Sequence, residues 1–213
     1  MKTVEDPLLQ KLVSFLNQLG TETIKHSGDK NYLGHLIAVH RDLLRWGSDL
    51  DVARAGLFHS IYGTEIFQGF KLPVSQRSEL QNLIGARAEQ IAFLNCYADR
   101  KLMDQLIIDQ TTSYQIVNRE TGETYALEKP DWDDLITLHL CDWMEQLERM
   151  NWWDYRREAY AAMASYLGGV ALQNYGRVLA NEPNREAGLH VDRKAWQTYC
   201  ELQGTMTANA ASR

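Results

Sequence analysis

Apolar positions along this chain recur at intervals of three and four over most of its length, the period of helices laid against a core. After Pro7, the residues Leu8, Leu9, Leu12, Phe15, Leu16 and Leu19 form one stripe, closed by Gly20. Leu33, Leu36, Ile37, His40, Leu43 and Leu44 form a second, which stops at Gly47. Ser48-Asp49-Leu50-Asp51 then reads as a cap, with an acid in the first turn where the helix dipole favours it. The helix it opens runs through Val52, Ala53, Ala55 and Leu57 and is small-sided and nearly apolar, so it belongs at the centre. It should end near Ser60, because Gly63 and Thr64 suit a turn. Pro73 interrupts the chain again, and Ser78 to Leu94 follows helical spacing. Further helices are expected over Trp132 to Met150, over Tyr155 to Leu179 with a break at Gly168-Gly169, and over Arg193 to Leu202.

Two stretches depart from that period. His26 to Asn31, HSGDKN, is polar throughout and reads as a loop. Ser113 to Lys129 alternates on both sides of Glu120-Thr121-Gly122-Glu123, the pattern of a hairpin with a glycine turn. The expected architecture is therefore mostly α: one helical domain over residues 1–203 with a small peripheral β-hairpin at 113–129. Gly204 to Arg213 has few bulky apolar residues and reads as a flexible tail. The Leu33, Asp51, Ser78 and Trp132 helices should enclose the histidines.

Composition narrows the function classes. A formal charge of −6, with no basic stripe, argues against nucleic acid and anionic membrane as partners and leaves a small-molecule substrate. No apolar run approaches transmembrane length, and the start, MKTVEDPLLQ, lacks the apolar core of a secretory signal. Cys96, Cys141 and Cys200 are odd in number and far apart, so neither a disulfide framework nor a zinc ribbon is supported. A cytoplasmic location follows as the expectation. Aromatic candidates to line a substrate pocket are Trp46, Tyr62, Trp143, Trp152 and Trp153.

Three places carry candidate chemistry. Four of the six histidines, His26, His35, His40 and His59, fall in one short span. A lone histidine at a helix end is most often a satisfied core residue, but clustering of the commonest metal-ligand side chain points toward a site. On the Trp132 helix, Ile136, Leu140, Trp143, Leu147 and Met150 form an apolar stripe with Asp142 beside it, apart from the polar face of Asp134, Glu145 and Glu148. A carboxylate turned toward a core needs a partner. Either an arginine such as Arg87 pairs with Asp142, or Asp142 binds a cation. Arg87 and Glu89 in IGARAEQIAFL read first as a solvated face.

The run His26 to Glu65, HSGDKNYLGHLIAVHRDLLRWGSDLDVARAGLFHSIYGTE, resembles the opening of the HD superfamily of metal-dependent phosphohydrolases, and within it the guanosine tetraphosphate hydrolases. It also looks like a small HD-like family of undefined function marked by AGLFHSxYGT. The resemblance covers roughly the first seventy residues, and the Asp142 helix more weakly. It implies an HD-like helical bundle with Ser27-Gly28 as the loop, His35 and His59 as ligands and Asp142 as the late ligand, with His139 or His26 close by. Ser60 stands where that superfamily has the aspartate of its His-Asp pair, and Gly63-Thr64 where the tetraphosphate hydrolases place Glu-Asp. Two histidines and one carboxylate are a known open set for iron, manganese or zinc, so one divalent ion is expected, iron or manganese first.

Three functions compete on this reading. The first is a metal-dependent hydrolase of a small, phosphorylated metabolite, with Glu65 or Glu89 as general base and Arg87 holding an anionic group. The second is a non-haem iron oxygenase acting on a small molecule. The third is a non-catalytic small-molecule-binding or interaction protein that keeps the scaffold without the metal.

Overall fold

The computed structural model describes residues 5–27 and 30–183, with the backbone alone for residues 25–27 and 30. The expected helix at Arg193–Leu202, the tail from Gly204, Gly28 of the loop and the side chain of His26 lie outside the described residues. Within them the chain is mostly helical, with α1 (Leu9–Gln18), α2 (Tyr32–Trp46), α3 (Leu50–Leu57), α4 (Arg77–Ile84), α5 (Ala86–Tyr97), α6 (Arg100–Ile108), α7 (Lys129–Met150), α8 (Arg157–Leu167) and α9 (Gly169–Leu179). None of these is long and apolar enough to cross a membrane.

The helix boundaries follow local chemistry. Asn31 caps α2 by accepting from the Gly34 N–H, and Gly47, at φ 89°, ends it in the left-handed conformation that glycine adopts without strain. The cap of α3 is Asp49 and not Ser48, its carboxylate accepting from the Val52 N–H. Pro130 lies in the first turn of α7, where its missing N–H costs nothing. The single helix expected over Ser78 to Leu94 is two. Gly85, at φ 99° and ψ 146°, lies far from helical dihedrals and separates α4 from α5. Likewise Gly168, at φ 61° and ψ −154°, separates α8 from α9, as the glycine pair implied. Helix α6 lacked a sequence signal strong enough to call, although Asp99 caps it in the same manner as Asp49 caps α3.

Two small antiparallel sheets complete the fold. One is the expected hairpin, β3 (Gln115–Val117) with β4 (Thr124–Ala126), paired Gln115 to Ala126, Ile116 to Tyr125 and Val117 to Thr124. It is stitched to the α5–α6 junction by the Asp99 N–H donating to the Val117 carbonyl, and Ile116 is buried beneath it. The other, β1 (Lys25–Ser27) with β2 (Lys30–Asn31), corrects the expectation of a plain loop at HSGDKN. Strands of three and two residues, all polar, give no alternation to read.

Helix α3 is the hub, touching α2, α5 and α7, and Ala53, Ala55 and Leu57 on it are fully buried. Its close approach to α2 depends on Gly56. A Cβ there would run into Leu43 Cδ1 and stand 3.2 Å from Val39 Cγ1. Because α3 is so thin, its end delivers His59 into the space between α2, α5 and α7 instead of to the surface.

Candidate metal centre

His35, on the buried face of α2, His59, two residues past the end of α3, and Asp142, on the inner face of α7, are all buried and converge. Asp142 Oδ1 lies 3.0 Å from His35 Nε2 and 3.2 Å from His59 Nε2, and the two Nε2 atoms are 3.3 Å apart. Adjacent ligand atoms around an ion held at about 2.1 Å stand about 3.0 Å apart in octahedral and about 3.4 Å in tetrahedral coordination. All three edges of the triangle fall in that window. A pair of ligands on opposite sides of an ion would be about 4.2 Å apart by the same arithmetic, and this triangle has none.

The outward-facing nitrogens decide what the inward-facing ones can do. His59 Nδ1 is 2.7 Å from the Gly56 carbonyl, which can only accept, so Nδ1 carries a proton and a neutral ring presents the Nε2 lone pair to Asp142. His35 Nδ1 lies 2.5 Å from Glu145 Oε2, and donating to that carboxylate leaves its Nε2 lone pair facing inward as well. With both rings neutral, three electron pairs meet in a buried space, which is unfavourable unless positive charge, a proton or a metal ion, sits among them. A buried His35, His59 and Asp142 group of this kind could hold a metal ion. Its second layer is the usual one for a ligating histidine: a carboxylate behind His35 and a backbone carbonyl behind His59.

The titration behaviour expresses the same demand. Burial works against the charged form of His35, but Asp142 and Glu145 outweigh it and raise its pKa. Burial pushes the Asp142 carboxyl up, yet the His59 and His35 rings beside it hold it well below the usual carboxylate range.

The other expected site residues are dispersed. His139 lies one turn before Asp142 on α7, but both its nitrogens are engaged: Nδ1 with Asn95 Oδ1 at 2.9 Å and Nε2 with Arg156 Nη1 at 2.6 Å. Burial, with Arg156 and Arg100 nearby, holds its pKa well below the ordinary value. Since guanidinium can only donate, the Nε2 lone pair of His139 is spent on Arg156. Its partner Asn95 donates to the His59 carbonyl at 2.8 Å, so His139 supports the backbone that carries His59. Glu89 is fully buried and closed off by Arg77 at 2.8 Å, the Tyr62 hydroxyl at 2.8 Å and Gln81 at 2.9 Å. Arg87 faces outward, pairing with Asp49 at 3.1 Å and with Asp134, so it is not the partner of Asp142. Glu65 is half-exposed, 3.9 Å from Arg100.

Glu145 and Gln146 take no site role in the sequence analysis, and Ser60 enters the site there only as the residue in place of an aspartate. Glu145 is the clearest case. It was assigned to a polar face, yet its side chain is buried against His35 and also pairs with Arg149 at 2.7 Å. The three-residue spacing of His139, Asp142 and Glu145 places them on one side of α7, and that spacing was the available signal. Gln146, one turn on from Asp142, donates to Asp142 Oδ1 at 3.1 Å. Ser60 is buried and shares a hydrogen bond with the Tyr32 hydroxyl at 3.0 Å. Together with His59, Asp142, Arg100, Ile66 and Trp152, these two line a cavity of about 30 Å³ at the centre. Of the aromatic candidates, Trp152 reaches this cavity, whereas Trp143 is core, stacked on Tyr160 with centroids 4.2 Å apart.

Residues 15–100 match a family described as a domain of unknown function (DUF6817). That stretch carries His35 and His59 and stops short of Asp142. No curated protein matches the chain. No solved structure matches it either.

Proposed function

We propose that this chain is a metal-dependent enzyme acting on a small molecule, with one divalent ion held by His35, His59 and Asp142. The observation that carries the reading is the convergence of His35 Nε2, His59 Nε2 and Asp142 Oδ1, with the two rings fixed from behind by Glu145 and the Gly56 carbonyl. A bound ion would act as a Lewis acid and lower the pKa of a coordinated water. The chain's own groups keep His35 and His59 in one tautomer, hold Asp142 through Gln146, and leave Ser60 and Arg100 facing the cavity.

The first reading is hydrolysis of a phosphorylated metabolite, in keeping with the resemblance to HD phosphohydrolases. Glu65 is then the better candidate for the proton-accepting role, because it is half-exposed beside Arg100, which lines the cavity, while the oxygens of Glu89 are occupied. The second reading, an iron-dependent oxygenase, is favoured by the make-up of the triangle, two histidines and one carboxylate on adjacent positions. The test is a pair of assays on loaded protein. Phosphate release from a panel of small phosphate esters with Mn(II) supports the first, and substrate-dependent oxygen uptake with Fe(II) supports the second. Neither activity in a protein that takes up no metal would leave a binding protein on this scaffold.

A further inference from the structure

The cavity beside the candidate metal centre, about 30 Å³, has room only for an ion or a water or two, since a water needs about 10–15 Å³. An organic substrate cannot enter it whole. Arg100 and Ile66, however, also line a second, wider groove of about 510 Å³, whose other walls include Glu65, Lys101, Tyr155 and Arg156. The two hollows meet at a shared wall, and Arg100 is its charged member.

Arg100 is incompletely satisfied. Its residue is only 7% exposed, yet its Nε–H has no hydrogen-bond partner among the described residues. Nη1 donates to the Tyr155 hydroxyl at 3.2 Å. Its one ion pair there is with Glu65, 3.9 Å from Nε, beyond hydrogen-bonding reach and on a side chain 47% exposed. Arg156, half-buried nearby, is the opposite case, with its fork closed on Asp104 and further donors on His139 and Tyr160. A buried guanidinium with an idle donor is costly, and the planar fork that would satisfy it is that of a carboxylate or phosphate.

We infer that Arg100 is an oxoanion receptor: it holds the carboxylate or phosphate group of a small substrate whose body lies in the outer groove and whose reacting end faces His59 and Asp142. The direction in which the substrate points rests on the metal-centre reading; the anion contact is a property of Arg100 alone. Glu65 competes for the same guanidinium in the absence of ligand and swings aside when the anion arrives.

The test uses the full chain in chelator-treated and metal-loaded forms, titrated with inorganic phosphate and separately with acetate at constant ionic strength. Tryptophan fluorescence and thermal unfolding report binding, with Trp152 next to the shared wall. At least one anion should saturate the wild type and raise its Tm, and which one does so tells phosphate from carboxylate chemistry. Arg100→Gln should weaken that binding at least tenfold, with Arg100→Lys in between, while metal content stays at the wild-type level. Glu65→Gln, a half-exposed change that leaves folding intact, should tighten binding severalfold. The inference is overturned if neither anion binds the wild type in either form, or if folded Arg100→Gln binds as well as wild type. Should Arg100→Gln not fold, unchanged affinity in Glu65→Gln overturns it. Anion binding that survives in a chain unable to take up metal would sink the metal reading and leave this one standing.

Discussion

Glu145 Oε2 lies 2.5 Å from Nδ1 of His35, so a side chain one turn along α7 from Asp142 sets the tautomer of a neutral His35 on α2. Both carboxylates come from one face of one helix. One aims at the inner nitrogen of His35 and the other at the outer.

This relationship predicts the effect of Glu145→Gln. The amide keeps the size but can turn either its oxygen or its NH₂ to His35, so the inward lone pair is no longer enforced. Metal affinity should fall about 10–100-fold, as for other outer-layer partners of ligating histidines. Equilibrium titration with Zn(II) or Mn(II) against a competing chelator measures it; an unchanged affinity would remove Glu145 from the centre.

His139→Ala separates support from ligation. The change strips Asn95 Oδ1 of the His139 ring and leaves Arg156 Nη1 with Tyr160 as its remaining partner. Stability should drop by about 1–3 kcal/mol in denaturant unfolding, the usual cost of orphaned buried groups. Metal stoichiometry should be unaffected, because the three converging atoms remain.

Gly56→Ala probes the packing that delivers His59. The added methyl meets Leu43 and Val39 in a fully buried seam between α2 and α3. Overpacking of this kind costs about 1–3 kcal/mol. The Gly56 carbonyl also holds His59 Nδ1, so any shift of α3 should weaken metal uptake together with Tm.

A separate prediction concerns acid. Asp6 is buried under α2 and α3, forked by Arg54 at 2.8 and 2.9 Å, with His40 at 3.4 Å. Burial acts to raise the Asp6 pKa, but Arg54, the Leu8 N–H and His40 together leave it lowered. His40 is also lowered, by burial first, even though Asp6 acts in the other direction. In both cases the unfolded chain binds protons more readily than the folded one, so stability falls with falling pH. The loss begins below the ordinary 6.5 of His40 and deepens below the ordinary 3.8 of Asp6. Asp6→Asn should lower stability at neutral pH by about 1–3 kcal/mol and flatten the acid limb of a Tm-against-pH curve.

Much of the scaffold could be read from the residues, and the reasons are local. The stripes of α1, α2 and α7, the small-sided α3, the Gly168-Gly169 break and the Gly122 hairpin all announce themselves by period or turn chemistry. Gly85 was passed over because an isolated glycine inside a helical pattern is usually tolerated, and only its dihedrals reveal the break. At the centre, His35, His59 and Asp142 can be picked out as candidates from the sequence, and the structure brings them into one buried group. Glu145 was placed on a polar face because its burial depends on α2, which no pattern within α7 reports. Arg100 and Arg156 were invisible for a similar reason: both sit at helix starts, and their burial comes from packing between α6 and α8.

Elemental analysis of purified protein, incubated in turn with Fe(II), Mn(II) and Zn(II) and freed of excess, tests the metal centre most directly. Wild type should retain one ion per chain for at least one of the three, and His59→Ala should retain none while its helical circular dichroism stays close to wild type. Equal metal content in the two proteins, whether none in both or one in both, would contradict the assignment of His35, His59 and Asp142 as the ligands.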